Sequence, residues 1–234
     1  DALNSVHWNP TTMILKRDIE FFVSGKKFFD SRGLAYSRSY LLHGPPGNGK
    51  TTTIKAIAKF LNTKPESFDF SASYDTPDAS FQSWVLGDSA RIAREENDGD
   101  DDDDNNEEHP KGQQRTPIRL LILEDIDRIF PNDGTKHTSV TLQAVLQALD
   151  GAVERRNMII IATANAPKSI DQQVLARPGR FDKQVFYAQP NVEEAFSFLK
   201  KMFDGENVSD DVLRDACKKL ASHSYALHKE LFAT

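Results

Sequence analysis

The stretch Gly44-Pro45-Pro46-Gly47-Asn48-Gly49-Lys50-Thr51 constrains this chain more than any other. It fits G-x-x-x-x-G-K-[ST], in which glycines let the backbone curl until successive N–H groups point into one concavity and cradle phosphate oxygens. The spacing sets Lys50 to reach β- and γ-phosphates and the Thr51 hydroxyl to ligate Mg²⁺. Such a loop empties into a helix N-terminus, whose partial positive charge favours an anion. The flanks agree. Tyr40-Leu41-Leu42-His43 reads as a short buried strand, and Ile54, Ile57, Ala58 and Leu61 fall at i, i+3, i+4 and i+7 on one helix face. That context separates a phosphate cradle from a glycine-rich turn with an incidental lysine. Gly44 to Thr51, with Thr52 behind them, form the expected nucleotide-binding set.

The rest of the chain alternates. Thr12 to Phe29 is helical, with Leu15, Ile19 and Phe22 on one face and a break at Ser24-Gly25. Ser67 to Ser71 alternates like a strand, and Phe81 to Glu95 reads as a loop tip and a helix. Ile118 to Leu123 and Met158 to Ala162 are apolar runs of the kind buried on both faces of a parallel sheet. Val140 to Leu149 is a helix with Gly151 just past its end, and Gln184 to Tyr187 is a fifth strand. From Val192 onward the pattern is helical only: Val192–Phe203, Ser209–Ser222 and a segment from Ser224. Strands alternating with helices, then helices alone, predict an α/β P-loop domain followed by a helical one.

Charge adds one distinction. Residues 98–108 hold eight carboxylates and no base, enough to turn a net charge of −6 slightly positive if they are set aside. Asn97 to Arg115 is therefore read as an acidic insert that cannot bury enough apolar surface to order itself. A solvated loop and a docking or regulatory tail for a basic partner are both open. No basic, aromatic-interleaved patch argues for nucleic acid. No window approaches the roughly 18 apolar residues that span a membrane. The single cysteine, Cys217, fits a reducing compartment and a small core position on a helix. Beginning at Asp1 without a signal core, the chain reads as an excised segment, with any targeting or anchoring element outside it.

Three further motifs surround the loop. Leu120-Leu121-Ile122-Leu123-Glu124-Asp125-Ile126-Asp127 is an apolar strand ending in carboxylates. In a doubly wound sheet that end lies beside the phosphate loop, where one carboxylate holds the Mg²⁺ water shell and its neighbour polarises the attacking water. Ile161-Ala162-Thr163-Ala164-Asn165 closes the next strand, and Asn165 is a candidate partner for the γ-phosphate or the attacking water, or else a turn-forming strand end. In Leu175-Ala176-Arg177-Pro178-Gly179-Arg180-Phe181-Asp182, two arginines flank a Pro-Gly turn. Guanidinium groups suit phosphoryl-transfer charge and can be supplied in trans.

The four motifs, in this order and spacing, resemble the AAA+ ATPases of the AAA subgroup over about 34–190 and most of the following helices. The resemblance implies a five-stranded parallel sheet of order 5-1-4-3-2, a small α-helical lid, and a ring with each ATP between subunits. It implies three regions: a helical linker over 1–33, the ATPase core over 34–190, and a truncated lid over 191–234. By resemblance Gly44 to Thr51 is Walker A, Leu120 to Asp125 Walker B and Asn165 sensor 1, while Arg177 and Arg180 match arginine fingers. Ser37-Arg38-Ser39-Tyr40 with the motifs around it looks closest to the bcs-type branch, the mitochondrial Rieske-protein translocase group. Most of the subgroup ends Walker B in Asp-Glu; here Glu124-Asp125 puts Glu on the Mg²⁺ side and the shorter Asp at the water-activating position. Trp84-Val85-Leu86-Gly87 resembles the pore loop of protein-threading members, against which Trp84 as a packed core residue stands as the alternative.

These readings combine into an ATP- and Mg²⁺-dependent ring motor or chaperone acting on a polypeptide. Lys50, Asp125, Asn165, Arg177 and Arg180 are its catalytic set, and Thr51 and Glu124 its metal contacts. The expected partners are identical subunits in a hexameric or heptameric ring and a polypeptide, with no nucleic acid, and a membrane only through a segment outside this chain. The expected compartment is intracellular, either cytoplasm or mitochondrial inner membrane. The inverted carboxylate order keeps open a nucleotide-gated scaffold with little turnover. A small-molecule P-loop kinase is the third reading.

Overall fold

The computed structural model describes residues 2–87, 117–131, 133, 137–150, 157–166, 180–204, 206, 208–219 and 223–227. The acidic insert and Arg177 lie outside them.

A 3₁₀ turn, Ala2–Ser5, leads into helices α1 (Met13–Ser24) and α2 (Lys26–Asp30). Strand β1 (Ser37–His43) then feeds α3 (Lys50–Leu61) through the glycine-rich loop. The short β2 (Pro65–Ser67) precedes α4 (Pro77–Leu86), and β3 (Arg119–Leu123) precedes a single helical turn, α5 (Ile126–Ile129). After α6 (Leu142–Leu149) come β4 (Met158–Ala164), β5 (Lys183–Phe186), α7 (Val192–Met202) and α8 (Asp210–Lys219).

The five strands are parallel, in order β2-β3-β4-β1-β5, the arrangement that the AAA+ resemblance implies. Strand periodicity sorts the core into two layers, because successive side chains leave opposite faces. Leu41, Leu121, Leu123, Ile160 and Ala162 face one way, onto Phe81 and Val85 of α4 and Ala144 to Leu149 of α6. Tyr40, Leu42, Leu120, Ile122, Ile159 and Ile161 face the other, onto Leu15, Ile19 and Phe22 of α1 and Ile54 and Ile57 of α3. Both faces are therefore covered, which is why β3 and β4 read as unbroken apolar runs. The expected linker is integral to this body: Tyr40 donates its hydroxyl to Asp18 of α1 at 2.7 Å, and Phe22 stacks on Tyr36 at 4.2 Å.

Helices α7 and α8 close a separate small core of Ala195, Phe196, Leu199, Leu213 and Cys217. A capping box starts α7, with the Asn191 side chain accepting from the Glu194 N–H and Glu194 accepting from the Asn191 N–H. Among the described residues no helix is long and apolar enough to cross a membrane.

Two element boundaries differ from the sequence reading. The strand expected at Ser67–Ser71 ends at Ser67. It pairs with β3, and Ser67 already sits opposite Ile122, one residue before β3 ends, so the register would leave only Leu123 for Phe68 and nothing for Phe70. They pack instead as an aromatic cluster with Phe81, Trp84 and Phe130. The helix expected from Phe81 begins at Pro77, a residue that suits a first helical position because its missing N–H would have no partner there.

Candidate functional site

The C-terminal ends of β1, β3 and β4 come together. Register pairs His43 with Ala164 and Leu123 with Ala162, so the phosphate loop, the carboxylates and Asn165 emerge at one edge. Strands β1 and β4 are neighbours, but the chain leaves β1 for the β2 side of the sheet and leaves β4 for β5 on the other. This is the switch point at which doubly wound sheets open a crevice.

The loop itself is strained and crowded on one side. Gly44 has φ 132°, and a Cβ there would fall on the Tyr187 carbonyl oxygen. Gly49 has φ 94° with nothing within 4 Å of a built Cβ, so the loop faces open space just where α3 begins. The chain thus offers a concave run of backbone ahead of a helix N-terminus, which is the fit a nucleotide phosphate requires.

Lys50, the first residue of α3, is buried, and its Nζ donates to the carbonyls of Gly44 (2.6 Å) and Pro45 (3.1 Å). Burial lowers its pKa below the ordinary lysine value, while the charges of Asp125 and Asp127 pull the other way. Thr51 and Thr52 are exposed toward the cavity. Behind them Thr53 is buried, donating to the Gly49 carbonyl at 3.0 Å and accepting from the Tyr187 hydroxyl at 3.0 Å. Asn48 is buried and donates to the Tyr187 carbonyl at 3.4 Å.

Of the two carboxylates, Glu124 is exposed and Asp125 half-buried. Asp125 takes a left-handed backbone (φ 49°, ψ 47°), unusual for a residue with a Cβ. Two contacts hold it there: its N–H donates to Thr163 Oγ1 at 3.0 Å, and its Oδ1 accepts from Asn165 Nδ2 at 2.9 Å. Asn165 is thus tied to the carboxylate expected to activate water. Arg128 approaches Asp125 Oδ2 at 3.7 Å but is itself largely exposed, so this pair adds little.

These groups line a cavity of about 670 Å³. One end is polar: Lys50, Thr51, Glu124, Asp125 and Asn165. The other is bounded by Val6 and His7 of the N-terminal segment and by Phe198, Met202 and Tyr225 of the last helices. His7 lies edge-on to Phe198 (6.0 Å) and tilted against Tyr225 (5.8 Å). Lys201 draws the segment in, donating to the carbonyls of Asn4 (2.5 Å) and Val6 (3.2 Å). Sequence reasoning missed the N-terminal side of this wall, since residues 1–12 lack periodicity and lie at the opposite end of the chain from its other members.

Two expected functional groups sit elsewhere. Arg180 does not project toward solvent: it is buried, and its Nε and Nη2 donate to Asp150 Oδ1 (2.7 Å) and Oδ2 (3.2 Å) at the C-terminal end of α6. Its neighbours are equally tied down, with Phe181 in the core and Asp182 accepting from the Ser39 N–H at 2.7 Å. At the expected pore loop the packing favours the alternative stated for Trp84. Trp84, Val85 and Leu86 form the last turn of α4, where Val85 is buried and the Trp84 ring packs 5.4 Å from Phe68 and 5.7 Å from Phe81. Gly87 ends the helix, and the Arg119 guanidinium caps it by donating to the carbonyls of Trp84 (3.0 Å) and Val85 (2.9 Å). Apolar surface in this stretch serves the core first, because the Phe68 and Phe81 rings are there to receive it.

Comparison with known proteins agrees with the geometry. The family model for the ATPase family associated with various cellular activities (AAA) matches residues 40–189. The ATPase family gene 2 protein of Saccharomyces cerevisiae is 30% identical over 216 residues, which is 90% of this chain and 25% of that protein. The probable mitochondrial chaperone bcs1 of Schizosaccharomyces pombe is 28% identical over 88% of this chain and 40% of its own length, in keeping with the bcs-type likeness. The proteasome-activating nucleotidase of Methanococcus vannielii is 25% identical over 87% of this chain and 46% of its own. The chain therefore spans less than half the length of these relatives. With the family model covering more than half of it and the expected sheet, loop and strand-end residues in place, the chain belongs to the AAA ATPase family.

Proposed function

We propose that the cavity binds ATP with Mg²⁺ and that the chain hydrolyses it to ADP and phosphate in a ring of identical subunits, driving the remodelling of a polypeptide. The observation that carries this is the convergence of Lys50, Asp125 and Asn165 on one cavity at the sheet's switch point. The loop N–H groups and Lys50 bind the phosphates, and the Thr51 hydroxyl and Glu124 are the groups that would hold Mg²⁺. When bound, that ion neutralises charge on the β- and γ-phosphate oxygens. Asp125 accepts a hydrogen bond from the attacking water; with Oδ1 fixed by Asn165, Oδ2 remains to do so. The aromatic wall of His7, Phe198 and Tyr225 suits a planar base at the far end. The chaperone and proteasome-activating names of two relatives support a polypeptide substrate. Arg177 remains the candidate for charge supplied by a neighbouring subunit.

Turnover at protein concentrations that support assembly is the test. Lys50→Ala should lower it at least about a hundredfold, the scale for removing a donor aimed at transition-state charge. Asp125→Asn should keep nucleotide binding while losing turnover by about 10²–10⁴-fold. Wild-type turnover in Lys50→Ala would refute the reading. A nucleotide-gated scaffold is the second reading, favoured by the pairing of Arg180 within its own chain; nucleotide-dependent assembly with negligible turnover would select it.

A further inference from the structure

A third carboxylate stands at the same edge and has no part in the scheme above. Asp127, in the α5 turn, is 6% exposed. Its Oδ2 accepts from the backbone N–H groups of Asn165 (3.1 Å) and Ala166 (2.8 Å). Its Oδ1 is buried and accepts nothing among the described residues. Burying an ionised carboxylate in this way is costly. Capping two N–H groups at a strand end does not by itself require a full charge, since a neutral side-chain oxygen accepts them too.

Asp127 restrains one particular residue. Its two bonds clamp the backbone of Asn165, whose side-chain amide in turn clamps Asp125 Oδ1 at 2.9 Å. Thr163, two residues earlier on β4, holds the Asp125 N–H. The end of β3 and the end of β4 are thus stitched by hydrogen bonds donated both ways: from Asp125 to Thr163, and from Asn165 to Asp125 and to Asp127. Released from Asp127, the Asn165 backbone would be free to turn outward beyond β4, and the amide would leave Asp125 in a left-handed conformation with one support fewer.

We propose that Asp127 is a positioning residue for hydrolysis, acting through Asn165 to aim the Asp125 carboxylate. This rests on the reading of Asp125 as the water-activating group. Displacements of about 1 Å at a reacting group can cost about a hundredfold in rate, so a second-hand effect of roughly tenfold is expected here.

The experiment is a double-mutant cycle in the full chain, with Asp127→Ala, Asn165→Ala and the pair. Asp127→Ala, which removes the acceptor, should lower kcat about tenfold with KM and ADP-analogue affinity within about threefold. Asp127→Asn, which keeps an acceptor oxygen, should recover most of that loss. The double variant should be no slower than Asn165→Ala alone, because both act on one restraint. Multiplying losses, an unchanged kcat in Asp127→Ala, or a parallel loss of ADP-analogue binding would each overturn the proposal. Backbone hydrogen exchange at Asn165 and Ala166 and the NMR shift of the Asn165 side-chain amide provide a readout that needs no turnover. Both should change in Asp127→Ala; unchanged values overturn the proposal even if the protein proves not to hydrolyse ATP, an outcome that would fall on the functional reading alone. Should Asp127→Ala not fold, Asp127→Ser, whose hydroxyl is one atom too short to hold both N–H groups, enters the same cycle.

Discussion

Replacing Asp150 by Ala should destabilise the fold far more than an ordinary surface ion pair would. The pair it forms with Arg180 is bidentate, at 2.7 and 3.2 Å, and the two side chains are 8% and 23% exposed. Breaking a fully buried pair costs about 3–5 kcal/mol, because the remaining charge is stranded, whereas an exposed pair is worth about 0.2–1 kcal/mol. Arg180 sits near the first limit and Asp150 between them, so about 2–3 kcal/mol is expected for Asp150→Ala, or roughly 5–10 °C in Tm for a chain of this size. Arg180→Met should also destabilise, because it removes both guanidinium donors from the Asp150 carboxylate. The double variant should recover much of the loss, since neither charge is then left alone. Urea denaturation of the two single variants and the double variant yields the coupling free energy. A coupling below about 0.5 kcal/mol would refute the reading, because it would mean that Arg180 is not held by Asp150 in solution. The same variants test the arginine's other assignment. If Arg180 serves a neighbour's nucleotide, Asp150→Asn frees it and should raise turnover; if it serves its own chain, turnover should fall with stability.

Gly44→Ala should abolish nucleotide binding and cost at least about 2 kcal/mol, because the new Cβ would meet the Tyr187 carbonyl at φ 132°; isothermal titration and thermal melting check both. Burial, with Lys201 nearby, lowers the pKa of His7 below the usual histidine value, so the folded protein binds fewer protons there than the unfolded chain. The stability that the neutral ring contributes is therefore present above about pH 6.5 and lost as pH falls from there through the folded pKa, and His7→Gln should flatten that part of a Tm-against-pH curve. Trp84→Ala should cost about 2 kcal/mol, less than the roughly 3–5 of a fully buried aromatic, while leaving basal ATP turnover per folded molecule unchanged; denaturation and turnover measured together decide it.

Much of the fold was legible in the sequence because its determinants are local. The phosphate loop announces itself by glycine spacing, and β3 and β4 by apolar runs that only a sheet covered on both faces can bury. Ile54, Ile57 and Ala58 lie on the buried face of α3 because 3.6 residues make a turn. Where local pattern misled, a contact remote in sequence had overridden it. Phe68 and Phe70 alternate like strand residues, yet β3 ends at Leu123, too soon to carry the ladder to Phe70. Trp84 before a glycine has the look of an exposed loop, yet its half-buried ring packs against Phe68 and Phe81 at the edge of the core.

The candidate site divides along the same line. Lys50, Thr51, Glu124 and Asp125 were assignable from residue type and spacing, because each sits at a fixed offset from a strand end or a helix start. Who holds whom was not. The Asn165–Asp125 contact spans 40 positions, the Asp127 contacts 38 and 39, and the Arg180–Asp150 pair 30. Such pairings depend on strand register and side-chain direction, which carry no signature in a single chain. The aromatic wall joins residue 7 to residues 198 and 225, and only the folding of the first segment against the last helices brings them together. Chemistry was written into short motifs; orientation, burial and the direction of each carboxylate came from a sheet that sets distant strand ends side by side.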